Sequence, residues 1–307
     1  MTSVAASPET QAPDRSGLIA GAVCYVFWGF LPLLFGATER AGASAFEIVA
    51  WRTLWATPLA IAFVAAADRG ASVRDLLQAP RNLLMLLLSA VLIATNWTTY
   101  VWSVTHGQIL AASLGYYLIP LVNMAAGAAI FRERITRMGL VAVALAAIGV
   151  AIQGIGLHSA PWIPLILALS FGGYGIIRKR VAVSAQTGLM VECVYLSIPA
   201  LAYVGWLAAT GHGAFGRGPA PTILLMLCGP ATVVPLVMFA FAARRLTLTL
   251  IGFLQFISPT LQFAYGLTVG ETLSPTAILS FAFIWAGVAV FTLGAVIQGR
   301  RRPPRSA

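Results

Sequence analysis

Ten stretches of about 20 mostly apolar residues follow one another along the chain, with short polar segments between them. A helix of about 20 residues is long enough to cross the hydrocarbon core of a bilayer. The pattern therefore predicts an all-α membrane protein with ten transmembrane helices. The predicted spans are 17–38, 46–67, 82–105, 108–131, 137–156, 162–178, 188–209, 222–243, 247–269 and 275–297. The segments between them are too short for a separate soluble domain.

The fourth and ninth spans share one design, in which a single proline interrupts an apolar stretch near its middle. These prolines, Pro120 and Pro259, lie 139 residues apart, and IGVAI at 148–152 is echoed by AGVAV at 286–290. This spacing indicates a duplication. The two predicted five-helix repeats are residues 17–156 and residues 157–297. Because five spans is an odd number, the repeats must be inverted relative to one another in the membrane.

Both interrupted spans carry polar residues four positions before and three positions after the proline. These positions hold Tyr116 and Asn123 in the first repeat. In the second repeat they hold Gln255 and Gln262. Positions i, i+4 and i+7 share one face of a helix, and a proline leaves the carbonyl four residues back without its helical partner. Such polar groups inside a membrane usually line a cavity.

Polar and aromatic residues in three other spans extend this candidate cavity. Trp28 lies in the first span, Asn96, Trp97 and Tyr100 lie in the third, and Tyr174 lies in the sixth. Interfacial anchoring is the alternative for Trp28. For the polar face of the third span, helix-to-helix binding is the alternative to a water-filled path. The prolines predicted to break helices are Pro32, Pro120, Pro235 and Pro259.

Apart from Arg137 and Arg178 at the ends of their spans, three charged residues lie inside the predicted spans. Arg52 is about one and a half turns into the second span, where a cation is costly unless it faces protein, water or a partner. It either binds an anionic group or extends toward the headgroups. Glu47 and Glu192 are interpreted as carboxylates near helix N-termini. The sequence therefore predicts uniport or solute exchange, and Glu192 is the candidate if a proton is coupled.

Composition agrees with a membrane protein, since 59% of the residues are hydrophobic and only 9% are charged. Of the 19 Lys and Arg residues, all except Arg40, Arg52 and Arg217 lie on the side of the N-terminus. By the positive-inside rule, both termini are predicted to be cytoplasmic. Residues 1–16 form a predicted cytoplasmic tail, and residues 298–307 form a basic tail at the membrane surface. The net charge of +10 thus reflects orientation and not nucleic-acid binding.

The residue types needed for catalysis or metal binding are not grouped. Cys24, Cys193 and Cys228 lie inside spans without metal-ligand spacing, and the three histidines lie at or near predicted loops. We therefore expect no metal, no cofactor and no enzymatic activity. A lipid-modifying membrane enzyme and a channel-like facilitator are the alternatives. The inverted repeat suits a transporter better than a channel.

Several motifs resemble those of one family, the RarD branch of the EamA permeases in the drug/metabolite transporter superfamily. They are VFWGFLPL, NWTTYVW, ASLGYYLIPLVN, FRERI, SFGGYGIIRK, GFLQFISPT and FAFIWAGVAVF. The resemblance covers nearly the whole chain. It implies a ten-helix inner-membrane transporter of two inverted five-helix repeats with a central substrate cavity. The chain departs from the family pattern at Ala111 and Ile119, where Glu and Asn are expected.

The sequence thus predicts a secondary transporter for a small organic metabolite or drug-like solute in the cytoplasmic membrane. Export by alternating access is expected, the partners are the solute and membrane lipids, and a homodimer stays open. The predicted substrate-binding residues are Trp28, Arg52, Asn96, Trp97, Tyr100, Tyr116, Asn123, Tyr174, Gln255 and Gln262.

Overall fold

The computed structural model describes residues 14–66, 76, 78–131, 136–157, 161–181, 183–246 and 248–301, which form thirteen α-helices and no strand. The helices are α1 (Arg15–Gly29), α2 (Leu31–Arg40), α3 (Ala45–Ala66), α4 (Pro80–Thr105), α5 (Ile109–Phe131), α6 (Arg137–Leu157), α7 (Trp162–Arg180), α8 (Ala185–Thr210), α9 (Pro219–Leu227), α10 (Pro230–Ala243), α11 (Leu248–Gln255), α12 (Ile257–Thr268) and α13 (Pro275–Arg301). Most of both predicted tails lies outside the described residues.

Every predicted span coincides with one helix or with two consecutive helices. The first span is α1 with α2, the eighth is α9 with α10, and the ninth is α11 with α12. By length and hydropathy, six helical segments of the described residues are able to cross a membrane, and two shorter apolar segments accompany them. The six are Arg15–Arg40, Ala45–Ala66, Pro80–Thr105, Gln186–Thr210, Pro219–Ala243 and Pro275–Gly294. The helix α13 continues to Arg301, past the predicted start of the C-terminal tail.

Two of the predicted helix breaks are confirmed. The first span is interrupted at Phe30, and Pro32 lies in the first turn of α2. The ninth span is interrupted at Phe256, and Pro259 lies in the first turn of α12. A proline is well tolerated in the first turn because its missing N–H would have no helical partner there.

The predicted breaks at Pro120 and Pro235 are wrong, since both residues lie inside continuous helices, α5 and α10. A membrane helix can continue past one missing hydrogen bond because neighbouring groups compensate. The eighth span breaks instead just before Pro230, at Gly229. A Cβ at Gly229 would lie 2.4 Å from the Cβ of Trp55, so this junction packs directly against α3.

Equivalent spans in the two halves of the chain make equivalent helix contacts, and these include the most extensive contacts in the structure. The second span α3 packs against the seventh, α8, and the fifth span α6 packs against the tenth, α13. The sixth span α7 contacts α4 and α5, which are the third and fourth spans. Equivalently, the first span contacts the eighth and ninth through α1, α10 and α12. This pattern is expected of two related five-helix halves.

The contact between α6 and α13 shows the same relation at the level of single residues. A Cβ on Gly149 would lie 2.8 Å from the carbonyl oxygen of Ser280, and a Cβ on Gly287 would lie 2.9 Å from that of Ala142. Both glycines belong to the echoed sequences and are 138 residues apart. Each therefore lets the backbone of the opposite helix approach closely.

Candidate functional site: a cavity inside the helix bundle

A cavity of about 680 Å³ lies inside the bundle, with walls formed mainly by α1, α3, α4, α5, α7, α8, α10 and α12. Its lining begins at Arg52 and Tyr100, near the ends of α3 and α4 that are predicted to be extracytoplasmic. It reaches Arg178, Ser184 and Arg244 at the ends of α7, α8 and α10 that are predicted to be cytoplasmic. The cavity thus extends from the middle of the bundle toward one side.

Nine of the ten predicted substrate-binding residues line this cavity. They are Trp28, Arg52, Asn96, Trp97, Tyr100, Tyr116, Tyr174, Gln255 and Gln262. Asn123 is not part of the lining, and its amide oxygen lies beside Gly172 and Gly175 of α7. The side chain of Asn123 is exposed. Contact between the nine lining residues and a solute stays a prediction.

Arg52 is a buried cation with few partners. Only 5% of the residue is exposed, and its Nε donates a hydrogen bond to Oγ1 of Thr232 at 2.6 Å. The Cζ atom lies 4.3 Å from the ring centroid of Trp97 and 5.6 Å from that of Phe35. Such stacking stabilises a guanidinium through the negative face of an aromatic ring. The Nη1 atom has no hydrogen-bond partner among the described residues.

Asn96 joins three helices beside Arg52. Its Nδ2 donates to the carbonyl oxygen of Leu167 at 3.0 Å and to Oγ of Ser170 at 3.1 Å. Its Oδ1 accepts a hydrogen bond from the hydroxyl of Tyr116 at 3.2 Å. Asn96 therefore binds α4 to α7 and positions Tyr116, which supports the alternative of helix-to-helix binding for this residue. A water-filled path stays a prediction. The ring of Tyr116 packs edge-on against Tyr100, whose hydroxyl has no partner in the part of the chain that the structure describes.

Gln262 connects α12 to the break in the first span. Its Nε2 donates to the carbonyl oxygen of Trp28 at 3.3 Å and to Oγ of Ser258 at 3.0 Å. The carbonyl of Trp28 lies four residues before Pro32, which has no N–H to donate to it, and the buried amide of Gln262 compensates for that loss. Trp28 lines the cavity, and the centroid of its indole lies 6.1 Å from that of the Phe239 ring, so Trp28 forms part of the aromatic wall of the cavity.

A second polar cluster lies toward the predicted cytoplasmic side. Oε1 of Glu192 accepts a hydrogen bond from Ser89 at 2.6 Å, and Oε2 accepts one from the hydroxyl of Tyr174 at 3.3 Å. Nη1 of Arg178 lies 3.7 Å from Oε1. The helix α8 begins at Ala185, so the interpretation of Glu192 as a helix-terminus carboxylate is wrong. It is held by side chains of α4 and α7 instead.

Two other carboxylates join elements on the predicted extracytoplasmic side. Oε1 of Glu47 accepts hydrogen bonds from the backbone N–H groups of residues 214–215 at 2.8 and 3.1 Å. Glu271, between α12 and α13, accepts from the N–H groups of residues 109–110 at 2.6 and 2.9 Å. Burial raises the pKa of Glu271 above its usual value, although the two backbone donors act in the opposite direction. Packed side chains that include Phe35 lie beneath these contacts.

Sequence reasoning missed several residues that line the cavity. Tyr25 and Phe239 form part of the aromatic wall, and Thr232 is the hydrogen-bond partner of Arg52. Arg178 and Arg244 were used only to assign orientation, but both reach the cavity. The aromatic residues could have been found from helical periodicity, because Tyr25 shares a face with Trp28. Nothing in the sequence indicates which helix faces Arg52.

Comparison with known proteins agrees with this architecture. Residues 15–154 match the model of the EamA-like transporter family. An uncharacterized transporter of Pseudomonas aeruginosa is 40% identical over 292 residues, which cover 94% of this chain and 97% of that protein. A protein RarD of Streptomyces exfoliatus is 37% identical over 294 residues, which cover 95% and 93%. A solved crystal structure with 18% identity shares the fold, with a TM-score of 0.59 over 92% of this chain and 98% of the other.

The bundle, its apolar spans and these relatives define a multi-pass membrane permease of the EamA-like transporter family. Within that family the chain belongs to the RarD branch, in agreement with the resemblance seen in the sequence motifs.

Proposed function

We propose that the protein is a secondary transporter that moves a small organic metabolite or drug-like solute through the cavity described above. The observation that carries this proposal is the cavity itself. Its volume of about 680 Å³ is in the range of about 300–1,000 Å³ that suits small organic ligands. Its wall combines aromatic rings with a few buried polar groups, a combination that binds and orients such ligands.

Alternating access is the mechanism that we infer for this cavity. The lining reaches the predicted cytoplasmic ends of three helices, whereas the opposite side is covered by packed side chains and by the contacts of Glu47 and Glu271. A solute would enter from one side, and the protein would then have to reopen on the other. This asymmetry favours a carrier over a channel-like facilitator. A cavity that opens toward the cytoplasm admits cytoplasmic solutes, which suits export.

We further propose that the protein lies in the cytoplasmic membrane with both termini in the cytoplasm. The proposal follows from the placement of 16 of 19 Lys and Arg residues on that side. Large apolar side chains are exposed around the bundle, for example Ile155 on α6 and Ile198 on α8, at 77% and 69%. Many large exposed apolar side chains are typical of a surface that faces lipid.

An untargeted comparison of metabolites tests transport without assuming a solute. Cells with the protein and cells without it are grown side by side, and metabolites in the medium and in the cells are measured over time. The proposal predicts at least one small organic solute that moves into the medium faster when the protein is present. Identical distributions of all detected solutes would contradict it.

A further inference from the structure

Arg52 keeps most of its hydrogen-bonding capacity unused. A guanidinium has five N–H donors, and the described residues accept only one hydrogen bond from this one, at Thr232. No carboxylate of the described residues forms an ion pair with it. An uncompensated charge this deep in a membrane protein is costly, so it typically marks a site for a charged partner or an ion. Water reaching the cavity lowers this cost but leaves the donors available.

The charge of the cavity wall as a whole is positive. The charged side chains of its lining are three arginines, Arg52, Arg178 and Arg244, and the lining includes no Asp or Glu among the residues that the structure describes. Arg178 lies 3.7 Å from Glu192, a carboxylate behind the wall. Arg52 has no carboxylate neighbour of this kind in the described part of the chain, and it lies at the closed end of the cavity. The strongest attraction for an anion is therefore expected there.

The surroundings of Arg52 favour a planar anionic group. Trp97 covers one face of the guanidinium, which leaves the donors along its edge to bind a ligand. An arginine edge matches the two oxygens of a carboxylate, and such paired hydrogen bonds are strong. Tyr100 lines the same cavity, and its hydroxyl, which has no partner among the described residues, can donate a further bond. Past these groups, the rings of Tyr25, Trp28 and Phe239 offer a mainly apolar surface.

We propose that the solute is an organic anion with one carboxylate and an apolar, ring-sized body, and that Arg52 binds the carboxylate. This inference rests on the proposed transport function and specifies its substrate class. Arg52 contributes both the charge and the orientation, with the carboxylate toward the closed end and the body against the aromatic wall. Thr232 and Trp97 are positioning residues, because they fix the guanidinium and leave its edge free.

Binding of matched small probes tests this assignment directly. Phenylacetate and naphthylacetate are compared with phenylacetamide and naphthylacetamide, which are neutral, and with phenethylamine, which is cationic. Affinities for the purified protein in lipid nanodiscs are measured by isothermal titration calorimetry. We expect at least one acid to bind about tenfold or more tightly than its amide, and the amine to bind more weakly than either.

Three variants distinguish the effect of Arg52 on binding from the effect of the overall positive charge of the protein. Arg52→Gln should weaken binding of the acid by about 10- to 100-fold and leave the amide within about twofold. Arg52→Lys keeps the charge without the planar edge, so it should keep part of the preference for the acid. Arg40→Gln removes the same charge from an exposed position outside the cavity and should change nothing. The comparison of probes on the unmodified protein requires no variant to fold.

Three results of the binding experiment would overturn the proposal: no binding of either acid, equal affinities for acid and amide, or a preference for the acid that survives in Arg52→Gln. A failure of the transport proposal has a different signature. If the acid binds at Arg52 but the metabolite comparison shows no protein-dependent movement of any solute, the transporter assignment fails. If a neutral or cationic solute is moved, transport stands and the assignment of the substrate class is wrong.

Discussion

Replacement of Asn96 by Leu tests whether one buried amide holds three helices together. The change keeps a side chain of similar size but removes hydrogen bonds of 3.0, 3.1 and 3.2 Å to Leu167, Ser170 and Tyr116. Side-chain hydrogen bonds in membrane proteins contribute about 0.6 kcal/mol each, so three bonds amount to about 2 kcal/mol. The hydroxyl of Ser170 has a second acceptor, the carbonyl of Leu167 at 3.3 Å. We therefore expect a loss of about 1–2 kcal/mol in the free energy of unfolding.

The free energy of unfolding of Asn96→Leu and of the unmodified protein can be measured by reversible unfolding of the purified proteins in mixed micelles titrated with sodium dodecyl sulfate. Thr95→Val is a matched control one position earlier on α4, since within the described residues the Thr95 hydroxyl bonds only to the carbonyl of Val91 in its own helix. The control should change the free energy of unfolding by less than about 0.5 kcal/mol. If Asn96→Leu is as stable as the unmodified protein, the amide does not hold α4, α5 and α7 together.

Three further predictions concern packing, pH and energy coupling. Gly149→Ala should destabilise the protein by about 1–3 kcal/mol in the same titration, because the added carbon would lie 2.8 Å from a backbone oxygen. Gly205→Ala, which meets no atom within 4 Å, should not destabilise it, and equal effects would argue against the close contact. Because the pKa of Glu271 is raised, its contribution to stability is present below the pKa of the unfolded chain and is lost as the pH rises through the pKa of the folded protein. The melting temperature of the unmodified protein minus that of Glu271→Gln should therefore be higher at about pH 4 than at about pH 8. A constant difference would contradict this sign. Glu192 is 1% exposed and does not line the cavity. A pH gradient imposed on proteoliposomes should therefore not drive accumulation of the solute. Accumulation that disappears in Glu192→Gln would show proton coupling instead.

Much of the fold could be predicted from local patterns in the sequence. Apolar length located the helical segments, and the echo around Gly149 and Gly287 predicted two related halves. The similar close contact that each glycine makes is what such halves would show. Periodicity within a helix also placed Tyr116 and Gln255 on the cavity. These features depend on residues that are near one another in the chain, which is why sequence patterns report them.

Features that depend on contacts between distant helices could not be predicted. Asn123 has the helical spacing of a cavity residue, yet it lies beside Gly172 and Gly175 of α7, exposed and outside the cavity lining. Its counterpart Gln262 is buried, because α12 meets the interrupted first span. Thr232, which accepts a hydrogen bond from Arg52, is 180 residues away in the chain, and Ser89, which donates one to Glu192, is 103 residues away. No local pattern identifies such partners. Long-range packing therefore decided the details of the site.

The central claim is that solute moves through the cavity, and a flux measurement with a blocked cavity tests it most directly. Proteoliposomes are loaded with the solute identified by the metabolite comparison, and its release is followed over time. Ala240→Trp places a large ring in the cavity wall, and Leu201→Trp places the same ring at a position that is 61% exposed on the outer surface of α8. We predict that Ala240→Trp abolishes protein-dependent release and that Leu201→Trp retains it. Equal release by the two variants, with both folded, would contradict transport through this cavity.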